Sequence, residues 1–377
     1  ILTRNITKAV SLLMVDYSCA IKLSTPIAVI SAIKEAADHD ITVKGGKYLE
    51  AYAHADTIVF DKTGTLTNAE PKLEKVISFS DYSEDEILTI AACLEEHFPH
   101  PVARAVVRKA EQEGLHHQEE HTEVEYVVAH GIASRLHGKR VLFGSRHYIH
   151  HDEGVPVDGM REAIERLARE GRSILYLAVD GKLAGLIAIE DPLRPEAAPV
   201  IRKLLGRGIR VVMLTGDDER TAAAVAERLG ISEYRSQVLP TDKAEVIRSL
   251  QAEGHTVAML GDGINDSPAL SAADVGVTLS DGADLAREVA DVVLTECRLD
   301  GLVTAVDLSK AAMRRIRTDF GLIMTLNTVF LASGLAGFLQ PGPSALLHNL
   351  TTVGVSLNAM RPMLKAGAEL QLEEVSA

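Results

Sequence analysis

Three aspartates in this chain each follow a short apolar run and stand among glycines. "TIVF" leads into Asp61 of "DKTGTLT", "VVML" into "TGDD" (215–218), and "VAML" into "GDGIND" (261–266). If these runs are neighbouring parallel strands, their carboxyl ends share one crevice, and Asp61, Asp217 and Asp262 converge there. Carboxylates brought together repel and resist joint ionisation unless a cation holds them. Aspartate oxygens with a phosphate completing the shell are what Mg²⁺ prefers. Gly64, Gly216, Gly261 and Gly263 let backbone N–H groups come close to phosphate oxygens. Lys243, in "PTDKAEVI", could stabilise a transferring phosphoryl group, and a carboxylate nucleophile attacking that group gives an aspartyl phosphate. Each piece alone is ordinary turn chemistry; the three together are highly specific. The chain has no GxxxxGK[ST] loop to explain them otherwise.

Such a crevice needs a parallel sheet flanked by helices. The β-rich runs at 56–60, 209–214, 256–260 and 274–279 are separated by helix-like segments, which is the pattern that predicts one. Residues 71–184 behave differently, with short strands in "EYVVA" and "LYLAVD" and His-rich, charged loops, and read as a separate domain inserted into the first. Apolar segments lie at both ends. Residues 6–33 could supply the roughly 20 residues that cross a bilayer, although Lys8, Asp16 and Lys22 interrupt them. Residues 320–339 are cleaner, are broken by "QPGP", and are followed by 344–360, so the pair reads as a helical hairpin. The basic run "MRRIRTDF" before it places that end on the cytoplasmic side.

Composition excludes other classes. Fifty-three acidic against 39 basic side chains give a net charge of -14, which argues against a nucleic-acid partner. The three cysteines, Cys19, Cys93 and Cys297, form no CxxC pair, so neither a disulfide framework nor a structural zinc site is indicated. No signal-peptide pattern opens the chain at Ile1, and a fragment of a longer protein is expected.

"DKTGTLT", "TGDD" and "GDGINDSPAL" together resemble the phosphorylation domain of P-type ATPases, and "DPLRPEAAPVI" at Asp191 resembles a hinge segment of the same pumps. The resemblance covers nearly the whole chain. It implies an α/β fold: a haloacid-dehalogenase-like parallel sheet (phosphorylation domain) with an inserted α+β nucleotide-binding domain, plus transmembrane helices at both ends. The implied domains are 1–36 (membrane helix with a metal-site motif), 37–70 and 186–318 (phosphorylation), 71–185 (nucleotide binding), 319–362 (two membrane helices) and 363–377 (acidic tail). It further implies that Asp61 is phosphorylated, that Lys62 and Thr63 contact the phosphoryl group, and that Thr215, Gly216, Asp217 and Lys243 bind it. Asp262 would hold Mg²⁺ with Asp61 and the Thr63 carbonyl, and Asn265 and Asp266 would complete the site. Related phosphatases carry an acid two places after the nucleophile to discharge the phosphoenzyme. Here that place holds Thr63, so the aspartyl phosphate should persist.

Within the insert, "CLEEHFPHPVARAVV" resembles the His-Pro segment of heavy-metal-transporting P-type ATPases, which implies ATP binding at Glu95, His100 and Pro101. The family's GxG pair appears as Ala129 and Gly131, and Gly144 of "VLFGS" resembles the next part of the pocket. The histidine clusters 116, 117, 121 and 147, 150, 151 could bind metal, but read as solvated.

"YSCAIKLSTP" resembles the Cys-Pro-Cys helix of heavy-metal pumps with only Cys19 and the Thr25-Pro26 pair kept. Asp16 and Cys19, three apart, would share a helix face and could reach one ion. Lys22 would repel that ion during release, and His348 and Asn349, with Asn327 and Asn358 behind them, are further ligand candidates. A single thiol beside a carboxylate disfavours monovalent copper and leaves zinc, cadmium, manganese, iron, cobalt or nickel. No "TGE" occurs, so the actuator domain and earlier membrane helices are expected to be missing partners. The implied protein is an ATP-driven transition-metal transporter of the plasma membrane with its catalytic domains in the cytosol. The rival readings are a soluble phosphatase of the same fold and a non-transporting regulatory protein on a pump-like scaffold.

Overall fold

A computed structural model of the chain describes residues 10, 13–68, 70–96, 101–115, 125–127, 131–157, 160–262 and 264–364. They form two compact units, one from Ile1–Ala55 with Asp291–Ala377 and the other from Asp56–Ala290. The first unit opens with the helix Tyr17–Asp38, whose buried face is the stripe Ala20, Ser24, Ala28, Ala32 and Ala36. Small side chains every fourth residue let neighbouring helices approach closely. Strand β1 (Ile41–Val43) and the helix Gly46–His54 follow.

The second unit starts with β2 (Thr57–Asp61), buried along its whole length. The insert then runs through β3 (Lys72–Ser78), the helices Glu84–Glu95 and Pro101–Gln112, β4 (Glu125–Val127), β5 (Gly131–Leu136), β6 (Lys139–Gly144), β7 (Ser173–Val179) and β8 (Lys182–Glu190). The first of those helices is started by a capping box: Ser83 Oγ accepts from Glu86 N, and the Glu86 carboxylate accepts from Ser83 N. The insert's strands form an antiparallel sheet in the order β3-β8-β7-β6-β5-β4. Beyond it come β9 (Arg210–Leu214), β10 (Glu233–Arg235), β11 (Val257–Leu260) and β12 (Val275–Leu279). These pair in parallel in the order β12-β11-β2-β9-β10. Helices cover such a sheet, so its strands read as unbroken apolar runs rather than alternating ones. The register sets Asp61 beside Leu214, and Phe60 beside Leu260, so three strands end together at the crevice.

Returning to the first unit, β13 (Val292–Leu294) pairs antiparallel with β1. The helix Asp300–Ala336 follows, then the helix Pro341–Ala359. Two expectations change here. The basic run 313–320 does not precede a membrane helix but lies inside one continuous 37-residue helix. No proline interrupts it, and it ends at Gly337, which takes a left-handed φ of 89° as its C-cap. Asp16 is likewise not within the first helix. It is the N-cap, accepting from Ser18 N at 2.8 Å.

Among the described residues, Asp300–Ala336 alone is long and apolar enough to cross a membrane. The helices Tyr17–Asp38 and Pro341–Ala359 have the length, but their polar side chains dilute the hydropathy. Nevertheless, among the described residues every large exposed apolar side chain except Leu205 and Leu285 lies on or beside these three helices, Ile30, Phe320, Leu350 and Phe338 among them. A concentration of exposed apolar side chains of this kind is the mark of a membrane or protein contact.

Candidate phosphoryl-transfer site

Asp61 closes β2, Asp262 follows β11, and Asp266 sits one turn later, before the helix Ser267–Ala272. One carboxylate oxygen from each lies within 4.8 Å of the others. Lys243, the first residue of the helix Lys243–Ala252, reaches in from the side, and its Nζ donates to Asp61 Oδ1 at 2.7 Å and to Asp266 Oδ1 at 2.6 Å. All three of these paired groups are buried. Burial pushes the Asp61 carboxyl up to about 6 against the pull of Lys243. Burial, then the charges of Asp61 and Asp266, push Asp262 up to about 7. Burial opposes the Lys243 charge, but the two aspartates outweigh it and raise its affinity for the proton.

Opposite donors on a Mg²⁺ ion stand roughly 4.2 Å apart. The spacing of these three oxygens fits such a shell, their chemistry is all hard oxygen, and the raised pKa values of Asp61 and Asp262 mark negative charge that a cation would relieve. The residues therefore suit magnesium.

Asp217, expected to converge with Asp61 and Asp262, is not part of that trio. Its carboxylate takes the buried Lys62 ammonium at 2.6 Å and accepts from Ser173 Oγ at 2.7 Å and Thr215 Oγ1 at 3.0 Å. Burial acts against the Asp217 charge, but Lys62 and these hydrogen bonds hold the group below the usual carboxylate range. Asp266 occupies the third corner instead. The reason is local: Lys62, next to the nucleophile candidate, already claims Asp217.

Gly64 is where the backbone has no room for a side chain. Its φ is +76°, and an added Cβ would stand 1.7 Å from Asp262 Oδ2. The turn is fixed by Thr67, whose Oγ1 accepts from Gly64 N at 2.9 Å. Arg194, buried at 8 % exposure, donates to the Thr67 and Gly64 carbonyls at 3.1 and 3.2 Å. Sequence reasoning read its segment only as a hinge. The one available signal was a lone arginine in the apolar stretch "DPLRPEAAPV". Thr215 is buried, Thr63 half-buried, and Gly216 and Asn265 exposed at the same end of the sheet.

In the insert, Gly131 and Gly144 are direct partners across β5 and β6. A Cβ at Gly131 would meet Tyr148 Cδ1 at 2.4 Å and the Phe143 carbonyl at 2.5 Å, so no side chain fits there without displacing them. Glu95 ends the helix Glu84–Glu95, and burial pushes its carboxyl up to about 7. It borders a cavity of about 240 Å³ that includes Arg104 and Arg108. Pro101 is the first residue of the next helix; His100 and Ala129 lie outside the described residues.

On the three long helices, Cys19 Sγ donates to Asp16 Oδ2 at 3.0 Å. His348 Nδ1 is 3.3 Å from Asn327 Oδ1, and both residues are buried. Asn358 donates to Asp319 at 2.7 Å. Lys22 is exposed. Among the described residues only the Asp61–Asp262–Asp266 trio assembles three candidate ligands, so Asp16, Cys19 and His348 do not stand together as one.

The fold and crevice define a class. Residues 55–274 match the haloacid dehalogenase-like hydrolase family, and the chain belongs to it. It is also 41% identical to a zinc-exporting P-type ATPase of Mycobacterium marinum over 96% of this chain and 50% of that protein. It is 40% identical to a manganese-exporting P-type ATPase of Mycobacterium tuberculosis, over 96% of this chain and 51% of that one. A crystal structure of a zinc-transporting PIB-type ATPase in an E2.Pi state superposes with a TM-score of 0.66 at 35% identity, covering 91% of this chain and 55% of that chain. The motif-based resemblance to heavy-metal P-type ATPases and the expected α/β class are borne out by these relatives. The chain spans about half the length of the curated relatives it matches.

Proposed function

We propose that this chain is the phosphorylation, nucleotide-binding and last membrane portion of an ATP-driven transition-metal exporter. The observation that carries the reading is the buried cluster of Asp61, Asp262, Asp266 and Lys243 at the ends of parallel strands. In this reading Asp61 attacks the γ-phosphorus of ATP, the bond to ADP breaks, and the phosphoryl group remains on the carboxylate. Asp61, Asp262 and the Thr63 carbonyl would hold Mg²⁺, which would supply positive charge to the phosphoryl oxygens. Lys243 keeps Asp61 ionised despite its burial and faces the charge that builds during transfer. Lys62, fixed by Asp217, and the backbone near Thr215 and Gly216 receive the phosphoryl oxygens, and Asn265 and Asp266 complete the shell. Thr63 offers no acid or base, so hydrolysis waits for an actuator domain outside this chain. Glu95, His100 and Pro101 bind the nucleotide, with Gly131 and, in the next part of the pocket, Gly144 beside it.

Asp16, Cys19 and His348 are the ligand candidates for the transported ion, gathered by a rearrangement of the helices. One thiol with a carboxylate and an imidazole favours a divalent ion such as zinc or manganese over monovalent copper. The basic residues Arg314, Arg315 and Arg317 put the catalytic unit on the cytosolic side, of the plasma membrane in our reading. The exposed apolar faces of the three helices disfavour a soluble phosphatase.

The test is ATP hydrolysis and metal uptake by the full-length protein in inside-out vesicles, scanned across divalent metals. Stimulation by one or two of them, lost with Asp61→Asn, is expected. Metal-independent hydrolysis of small phosphate esters by the same preparation would instead support the phosphatase reading.

A further inference from the structure

We propose that Ser173, the first residue of β7, is a positioning residue that the insert supplies to the phosphoryl-transfer crevice: it holds Asp217, and through Asp217 the Lys62 ammonium. This role rests on the reading in which Lys62 receives the phosphoryl oxygens.

Three side chains close on one another. Ser173 Oγ donates to Asp217 Oδ1 at 2.7 Å and accepts from Lys62 Nζ at 3.4 Å. Lys62 Nζ in turn stands 2.6 Å from Asp217 Oδ2, to which Thr215 Oγ1 also donates at 3.0 Å. The hydroxyl thus gives its one proton to the carboxylate and turns a lone pair to the ammonium. The two oxygens of Asp217 are held from different parts of the unit. Lys62 and Thr215, beside the parallel sheet, hold Oδ2, and the insert holds Oδ1 through Ser173. Without that hydroxyl, Oδ1 loses its donor and the carboxylate can turn about its Cβ–Cγ bond. Lys62, whose charge also feels Asp191 and Asp61, then has other acids to swing towards.

The neighbours of Ser173 fix it in place. It pairs with Ile189 across β7 and β8, close to where the chain leaves the insert at Asp191. Arg172 spans Glu74 of β3 and, at 2.6 Å, Glu190 of β8. Its carbonyl accepts from Thr221 Oγ1 at 3.0 Å, and Thr221 is a buried residue of the helix Glu219–Leu229. Arg220 of the same helix reaches Glu165 of the insert at 3.5 Å. The start of β7 is therefore pinned against the helix that follows Asp217, which a surface serine making a chance contact would not be.

The experiment follows phosphorylation of the full-length protein by labelled ATP within one turnover, reading the limiting rate and the half-saturating ATP concentration separately. Ser173→Ala is expected to lower the limiting rate about tenfold, the scale of one hydrogen bond to a charged group. Half-saturating ATP should stay within about twofold, because Ser173 touches the phosphoryl site and not the nucleotide. Ser173→Thr keeps the hydroxyl and should recover most of the rate. An unchanged limiting rate in Ser173→Ala, or a threonine variant as slow as the alanine one, would overturn the assignment. So would a change confined to half-saturating ATP, which would make Ser173 a support of the insert alone. Absence of any phosphoenzyme in the unmutated protein would sink the reading of Lys62 itself, and this role with it.

Discussion

Replacing Gly64 by alanine perturbs the crevice without removing a charged group. The new Cβ would fall 1.7 Å from Asp262 Oδ2 and 2.3 Å from its Cγ, whereas contacts under 3.0 Å are essentially never tolerated. The Asp262 carboxylate must therefore retreat by about 1.3 Å, too far to keep a magnesium bond of roughly 2.0–2.1 Å. The φ of +76° adds backbone strain of roughly 1–2 kcal/mol. The protein should thus fold with a modest stability loss but need far more magnesium, by about 10–100-fold. The assay is phosphorylation of the full-length protein by labelled ATP across a Mg²⁺ titration, beside thermal unfolding of the same sample. Gly64→Ala and Asp262→Asn should shift the half-saturating Mg²⁺ concentration alike. An alanine variant with unchanged Mg²⁺ dependence would refute the assignment of Asp262.

Lys243→Met leaves Asp61 and Asp266 buried without their shared ammonium, a loss of about 3–5 kcal/mol, visible as a lower urea midpoint that Mg²⁺ partly restores. An unchanged midpoint would show that the ion pairs contribute nothing. Glu95 is raised by burial from its ordinary 4.5 to about 7. The unfolded chain ionises it first, so stability should fall as pH rises from 4.5 to about 7 and level off above that, by no more than about 3 kcal/mol. Glu95→Gln should flatten this slope in melting curves, and parallel pH profiles for the two proteins would contradict the burial.

The strand ends were legible because each is an unbroken apolar run stopping at an aspartate, a pattern that buried parallel strands require. Which carboxylates meet was not, since it depends on side-chain pairing across strands: Lys62 draws Asp217 aside, and Asp266 takes the vacant corner one turn beyond Asp262. The long helix was misjudged because hydropathy sees only its apolar second half, while Asp300 through Thr318 are amphipathic and equally helical. Asp16 looked like an intrahelical ligand by spacing, but a short carboxylate ahead of Ser18 is a natural N-cap. Arg194 acts on backbone carbonyls more than 120 positions away in sequence, a contact no local pattern announces.

The most direct measurement is to phosphorylate the full-length protein with labelled ATP and Mg²⁺, quench in acid, and locate the label by peptide mass spectrometry. A hydroxylamine-labile phosphoryl group on Asp61 that accumulates within one turnover, and is absent in Asp61→Asn, is the predicted result. Label on any other residue, or release of phosphate with no acid-stable intermediate at Asp61, would contradict the claim that this carboxylate accepts and holds the phosphoryl group.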